Sequence, residues 1–316
     1  MSRCYLAVVL AALFLVCACR EPIGPAVTPD ADITPGDAPS DPVGPRDDLA
    51  PAIGTPEALD VATWNIENFP QRASTALLAA GVILSLDLDL IGVQEIADVE
   101  AFAELMGYLP EYDHILSTDT YSDGSYQKVG FIFRRELLQA DAIDLLFTGD
   151  WYEFPRPPLE VQFTLLHPES GAPVLDFTAI VVHLKAGVDA EDSDRRRLAV
   201  RMLDDHIKAR MAGAGDDQIL LLGDFNEDLD SADGAAVWAP VLDDPAVYNL
   251  HTGDLDSASF SYIPWTRLID HIVSTGPLTD TATSHTEISA LDELINGYTN
   301  SVSDHRPVVT SLTGLW

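Results

Sequence analysis

Ile219-Leu220-Leu221-Leu222 is apolar at every position and stops at Gly223-Asp224-Phe225-Asn226. A short run of that kind reads as a strand covered on both faces, and it ends in a tight turn. The pattern recurs. Leu88-Asp89-Leu90-Ile91-Gly92-Val93 stops at Gln94-Glu95, and the apolar stretch from Val174 stops at His183. Asp60 to Ile66 delivers Asn65 near its end, and Leu268 to Val273 carries Asp270-His271. Ser303-Asp304-His305-Arg306-Pro307 leads into a last strand, Val308 to Leu312.

Between these strands, Ala73 to Leu86, Val99 to Met106 and a stretch capped by Asp192 or Ser193 and running to about Arg210 read as helices. Tyr126 to Phe133 reads as a strand, and Trp151 to Leu166 as further strands broken by Pro155, Pro157 and Pro158. Buried strands mixed with a few helices place the chain in the α/β or α+β class, and periodicity alone goes no further.

The N-terminus is a separate matter. Arg3 precedes the apolar run Tyr5 to Val16, too short for a membrane span and suited to a signal peptide. Val16-Cys17-Ala18-Cys19 resembles a bacterial lipobox with Cys19 as the acylated residue. Residues 1–19 are therefore expected to direct export to the cell envelope and to leave a lipid anchor in the membrane. A plain secretory signal or an uncleaved anchor is the alternative. Residues 20–59 are dominated by Pro, Gly, Ala and Asp and are expected to form a disordered tether, with one domain over residues 60–316. All three cysteines lie in the leader, so the body has none for a disulfide or a zinc–thiolate site.

The body is strongly acidic, with 42 Asp and Glu against 14 Lys and Arg from Val61 onward. Such a surface repels polyanions and attracts divalent cations, which argues against a tight, non-specific binder of duplex DNA. The polar groups at the strand ends are carboxylates, amides and histidines. Without cysteine these oxygen ligands suit magnesium, manganese or calcium. Two histidines beside acids suit proton transfer near neutral pH, and the set as a whole suggests water attacking a phosphate ester. Each piece also has an ordinary reading: Asn65 as a turn residue, His183 as a core histidine, Asp270-His271 as a surface pair.

Taken in order, Trp64-Asn65-Ile66-Glu67-Asn68, Gln94-Glu95, His183-Leu184-Lys185, Gly223-Asp224-Phe225-Asn226, Ile269-Asp270-His271-Ile272 and Ser303-Asp304-His305-Arg306-Pro307 resemble the endonuclease/exonuclease/phosphatase superfamily. The resemblance implies a four-layer α/β/β/α sandwich like that of deoxyribonuclease I. It implies that Asn65 and Glu95 hold a divalent metal, with Asp304 a further ligand or a support for one. His305, oriented by Asp270, would be the base or the imidazole that stabilises the phosphate. Asp224 and Asn226 would position or activate the water, and His183 would stabilise developing charge or protonate the leaving oxygen. A histidine at 183 resembles deoxyribonuclease I and the sphingomyelinases rather than the abasic-site endonucleases.

Lys185, Arg195 and Arg201 are candidates for phosphate contacts, and Lys128 for a substrate-facing residue. Arg196 and Arg197 read as solvated helix surface. The expected function is a metal-dependent phosphodiesterase acting on nucleic acid, with no protein partner. The rivals are a sphingomyelinase-like lipid phosphodiesterase using Phe260 to Trp265 as a membrane hairpin, a small-molecule phosphatase, and an anchored binding module without chemistry.

Overall fold

The computed structural model describes residues 44–46, 48–213 and 217–316. The expected signal peptide, lipobox and most of the tether lie outside the described residues. Among the described residues no helix is long and apolar enough to cross a membrane.

The apolar runs form two six-stranded sheets. In spatial order the first holds β11 (Thr283–Ile288), β12 (Val308–Thr313), β1 (Ala58–Phe69), β2 (Leu90–Ile96), β4 (Lys128–Arg134) and β3 (Tyr112–Leu116). The second holds β5 (Leu138–Leu145), β6 (Leu159–Leu166), β7 (Pro173–His183), β8 (Ile219–Asp224), β10 (Asp270–Thr275) and β9 (Tyr248–Leu250). Each sheet contains one parallel pair, β1 with β2 and β7 with β8, and the remaining pairs are antiparallel. Each parallel pair is joined by a crossover helix, α1 (Thr75–Leu86) in the first sheet and α3 (Ala190–Ala212) in the second.

Alternation along the strands explains why they are apolar on both faces. Leu59 and Val61 of β1, Leu90 of β2 and Phe131 and Phe133 of β4 meet Val161 and Phe163 of β6, Val181 of β7 and Leu222 of β8 in the layer between the sheets. Phe163 stands at its centre, its ring 5.7 Å from Phe131 and 5.6 Å from Phe177. Gly92 of β2 lies where the sheets approach closely, and a Cβ there would sit 2.9 Å from the Leu222 side chain. The opposite faces take the helices. Trp64, Ile91 and Val93 pack with α1 and α2 (Val99–Gly107), and Ile180, Val182 and Leu221 pack with α3 and α4 (Gly234–Leu242). This is the four-layer α/β/β/α sandwich.

Three boundaries differ from the sequence reading. The helix expected to be capped by Asp192 or Ser193 begins at Ala190, with Asp189 as its cap and Asp192 completing the capping box. The stretch 147–157 forms turns, so strand structure in the Trp151–Leu166 region is confined to Leu159–Leu166. Residues from Arg46 onward belong to the folded body. The backbone N–H of Arg46 donates to Ser85 Oγ, and those of Ile53 and Gly54 donate to Leu86 O. Leu49 and Ala50 are buried with the α1 cluster. Composition conceals this, because two apolar residues among prolines and aspartates leave no periodicity.

A body beginning at Asp60 therefore loses a buried Leu49 side chain and the contacts that Ile53 and Gly54 make with the end of α1. Compared with a body beginning at residue 44, it should be less stable by about 2–3 kcal/mol. Calorimetry should show its Tm lower by roughly 4–10 °C.

Candidate active site

The inter-sheet layer ends in polar groups at one edge. The row Ala179, Val181, His183 on β7, the row Leu220, Leu222, Asp224 on β8 and the row Leu59, Val61, Thr63, Asn65 on β1 all reach it. The register then sets neighbours. His183 pairs with Asp224 in the parallel ladder, and Asp224 pairs with Asp270 in the antiparallel one. His183, Asp224 and Asp270 thus form one row across the second sheet, facing Asn65 and the approach to β12 in the first. The carboxyl ends of both parallel pairs open on this edge.

Glu95 arrives differently. Strict alternation turns Gln94 inward, where it exchanges hydrogen bonds with Thr63. The β1–β2 ladder is interrupted between Asn65 and Phe69, and Glu95, Glu67 and Asn68 all take left-handed backbone conformations, with φ of 64°, 38° and 43°. Non-glycine residues there cost on the order of 1–3 kcal/mol each. Local hydrogen bonds hold them: Glu67 N–H donates to Asn65 Oδ1 at 3.0 Å, and Asn68 N–H to Glu95 Oε2 at 2.9 Å. The irregularity brings Glu67 and Glu95 to the same cleft as Asp224 and Asp304. Gly223 is a similar device on β8. Its φ of 148° is open to glycine, and a Cβ would sit 2.1 Å from Val182 O.

Asp224 is the hub. One oxygen accepts from Asn65 Nδ2 at 2.9 Å and the other from Asn226 N–H at 2.8 Å. Asn65 Nδ2 also donates to Glu95 Oε1 at 3.1 Å, so this amide bridges two carboxylates. His305 Nδ1 lies 2.7 Å from Asp270 Oδ2, and its Nε2 lies 3.9 Å from Asp224 and 3.7 Å from Asp304. His183 Nε2 is 3.6 Å from Asp224 and 3.7 Å from Glu95, while its buried Nδ1 has no partner. Asn226 turns its amide to Leu184 O at 3.2 Å, joining the β7 and β8 loops.

The electrostatics follow from crowding acids in a dry cleft. Burial, then the charges of Asp304 and Glu95, push Glu67 up to about 7. Burial and the charge of Asp270 push Asp224 up to about 7, and burial with Glu95 raises Asp304 to about 6. Burial opposes the charge on His305, yet Asp270, Asp224 and Asp304 outweigh it and raise the imidazole to about 10. Burial, with the charges of Arg156 and His305, holds His183 well below the usual histidine range, so it is neutral near pH 7.

A divalent cation fits this donor set. Glu67 Oε2 is buried with no hydrogen-bond partner, and the oxygens of Glu67, Glu95 and Asp304 are the hard type that such ions take. Asp224, Asp270 and His305 also present ligand atoms within 4.8 Å of one another. In that trio the Asp270–His305 hydrogen bond and the two donors on Asp224 suit proton handling, while Asp270 Oδ1 is buried with no hydrogen-bond partner.

Other candidates lie elsewhere. Arg195 stacks on Tyr152 and donates to the backbone of Tyr152 and Trp151. Arg201 is exposed on α3 beside Asp204 and Asp205. Lys185 pairs with Asp192 at 3.2 Å, and Lys128 is buried with Nζ on Asp119 O. None of these four lines the cleft. Arg196 is 4% exposed and pairs with Glu227, which corrects its reading as solvated surface. Its position among three consecutive arginines hid the one that faces inward. Arg267, which lines the cleft, and Arg156, which reaches it through Gln127, are cations the sequence reading missed. Of the two, Arg156 acts at one remove. It donates to Gln127, which donates in turn to Asn68 and Glu95. Its flanking prolines register only as strand breaks. Of Phe260 to Trp265, Trp265 is 57% exposed at the cleft mouth, while Tyr262 packs 4.9 Å from the His305 ring.

Residues 62–305 match the profile of the Endonuclease/Exonuclease/phosphatase family. The chain belongs to this family. Its members are divalent-metal-dependent, and the chain is a phosphoric ester hydrolase. No curated protein matches the sequence. Similar solved structures of the endonuclease/exonuclease/phosphatase family include TDP2 from D. rerio, with a TM-score of 0.61 at 15% identity over 81% of this chain and 99% of that one. TDP2 from Caenorhabditis elegans gives 0.59 at 13% identity over 81% and 97%. A mannosyl-6-phosphatase from Bacteroides thetaiotaomicron gives 0.58 at 16% identity over 81% and 99%. At these identities the likeness is one of fold.

Acids raised in the metal-free protein stabilise it below their ordinary range, near pH 4, and that stability is lost as pH rises through about 6–7. A bound cation removes the loss. Magnesium should therefore raise Tm more at pH 8 than at pH 5.5, and Glu95→Gln or Asp304→Asn should shrink the pH 8 shift by more than half in scanning fluorimetry.

Proposed function

We propose that this chain is an exported, lipid-anchored phosphodiesterase that uses magnesium, with manganese or calcium as alternatives, and acts on nucleic acid. The observation that carries the chemistry is the placing of Asp224 beside the His305–Asp270 pair at one cleft of about 520 Å³. A divalent cation held by Glu95 and Asp304, with Glu67 in place of the expected Asn65, whose amide is bonded to Glu67 N–H, Glu95 and Asp224, would draw charge from the phosphate oxygens.

The protein supplies the rest. Asp224, raised to about 7, is a carboxylate poised to take a proton from water near neutral pH. Asn226 and Asn65 fix its two oxygens. His305, held as imidazolium by Asp270, presents Nε2–H to a phosphoryl oxygen, where a preformed donor in a dry site stabilises developing charge. His183, neutral and buried, is suited to donate a hydrogen bond to the phosphoryl group rather than to protonate the leaving oxygen.

The choice of a nucleic-acid end or a short single strand over a duplex rests on the rim and the charge. Trp265 and Arg267 stand together at the mouth, the guanidinium 5.8 Å from the ring, which suits stacking of one base. The net charge of −34 opposes a long polyanion. The D. rerio TDP2 structure, which shares the fold, is a complex with a single-strand DNA product, and that complex supports a nucleic-acid reading for this chain. A small-molecule phosphatase is the second reading. Ser193, Ser231 and Asp233 also line the cleft, and although their side chains bond to one another, Arg196 and Glu227, they make that part of its wall polar enough for a polyol.

The body from residue 44 onward should hydrolyse a single-stranded oligonucleotide and bis-p-nitrophenyl phosphate with magnesium and lose both activities in EDTA. Plasmid DNA and mannose 6-phosphate, run in parallel, report the duplex and monoester alternatives. His305→Ala and Asp224→Asn should each lower kcat by about 10²–10⁴-fold. The wild-type kcat/KM should rise with pH through an apparent pKa near 7. Wild-type rates in His305→Ala would remove this mechanism. For the anchor, Cys19→Ser should move the full-length protein from the membrane fraction to the soluble fraction of a bacterial host.

A further inference from the structure

Arg196 and Glu227 form an ion pair that is 4% exposed on both sides, with Nε 2.8 Å from Oε2. Neither residue belongs to the catalytic group described above. Isolated charges are costly to bury, and a buried pair is weak support for stability in itself. What distinguishes this one is where its remaining bonds go. Arg196 Nη1 donates to both Lys185 O and Gly187 O at 2.9 Å, and Nη2 donates to Ser193 Oγ at 3.1 Å. Ser193 in turn donates to Asp233.

Glu227 is equally committed. It takes the Ser231 hydroxyl on its second oxygen, and its backbone carbonyl accepts from His271 Nε2 at 3.1 Å and Trp238 Nε1 at 3.4 Å. The two loops so joined are the continuations of β7 and β8. One begins at His183, the other at Asp224-Phe225-Asn226. Each contains a residue with positive φ, Gly187 at 123° and Asn226 at 55°. Arg196 reaches three groups of the first loop and its helix with one planar fork, a geometry that a lysine ammonium cannot reproduce.

We propose that the Arg196–Glu227 pair, in the wall of the cleft, is a latch that positions His183 and Asn226 relative to Asp224 and acts on the reaction through those residues. This rests on the phosphoesterase reading for its kinetic consequence only. Positioning errors of about 1 Å can cost on the order of 10²-fold in rate. The expected signature is a loss in kcat with little change in KM.

The test uses the body from residue 44 onward, with bis-p-nitrophenyl phosphate and magnesium. Arg196→Lys and Arg196→Met should lower kcat at least tenfold while KM stays within threefold. Glu227→Gln, which keeps an acceptor, should stay within about threefold of wild type. The double variant Arg196→Met/Glu227→Leu removes both charges and should regain most of the Tm lost in Arg196→Met while kcat remains low. That result separates positioning from stability. Amide hydrogen exchange should quicken in 184–189 and 225–233 and stay unchanged in β7 and β8.

Wild-type kcat in folded Arg196→Lys, or a kcat that recovers together with Tm in the double variant, overturns the latch. If the wild type hydrolyses no ester, the phosphoesterase reading fails, and the exchange result alone then decides for or against the latch.

Discussion

The burial of one apolar layer between two sheets is the constraint on which the rest depends. His183, Asp224, Asn65 and Asp270 are the end members of inward-facing rows that are mainly apolar further in. Their positions are set by the register of the ladders and by the spacing of the sheets. Sites built on the ends of packed strands are better fixed than sites on free loops. A change at Gly92 or Phe163, well inside the layer, would move the cleft groups as surely as a change beside them.

The same burial creates the chemistry. Carboxylates forced together away from water resist ionisation, and the fold supports this with left-handed residues at Glu67, Glu95 and Asn226. Stability and function pull in opposite directions here. The cluster is unfavourable in the empty protein and becomes favourable with a cation among its oxygens. The His305–Asp270 pair settles the opposite way, because three acids surround a single imidazole.

Much of this could be read from the chain. Runs such as Ile219–Leu222 gave buried strands, and each stopped at a residue that the structure places on one edge. Motif order supplied the fold family, which periodicity could not. What escaped has physical reasons. Glu67 is turned to the cleft by a ladder irregularity that no alternation pattern reveals. Arg196 differs from Arg195 and Arg197 only by its angle on α3, and the helix is too polar for its buried stripe to stand out. Arg195 and Arg201 were candidates for phosphate contacts by charge, but α3 turns them away from the cleft. Leu49 packs through one side chain, below the threshold of any pattern.

The hairpin that carries Trp265 is bound to the catalytic backbone at its base. Tyr262 and His305 form a bridge, Arg306 N–H donates to Ser261 O at 2.7 Å, and Ser261 Oγ accepts from the N–H groups of Ile269 and Asp270. One short segment therefore aligns both halves of the His305–Asp270 pair, and its tip is the part that meets whatever enters the cleft. The rim aromatic and the proton-handling pair thus share one backbone segment, so the mouth of the cleft and the imidazole are held in place by the same few hydrogen bonds.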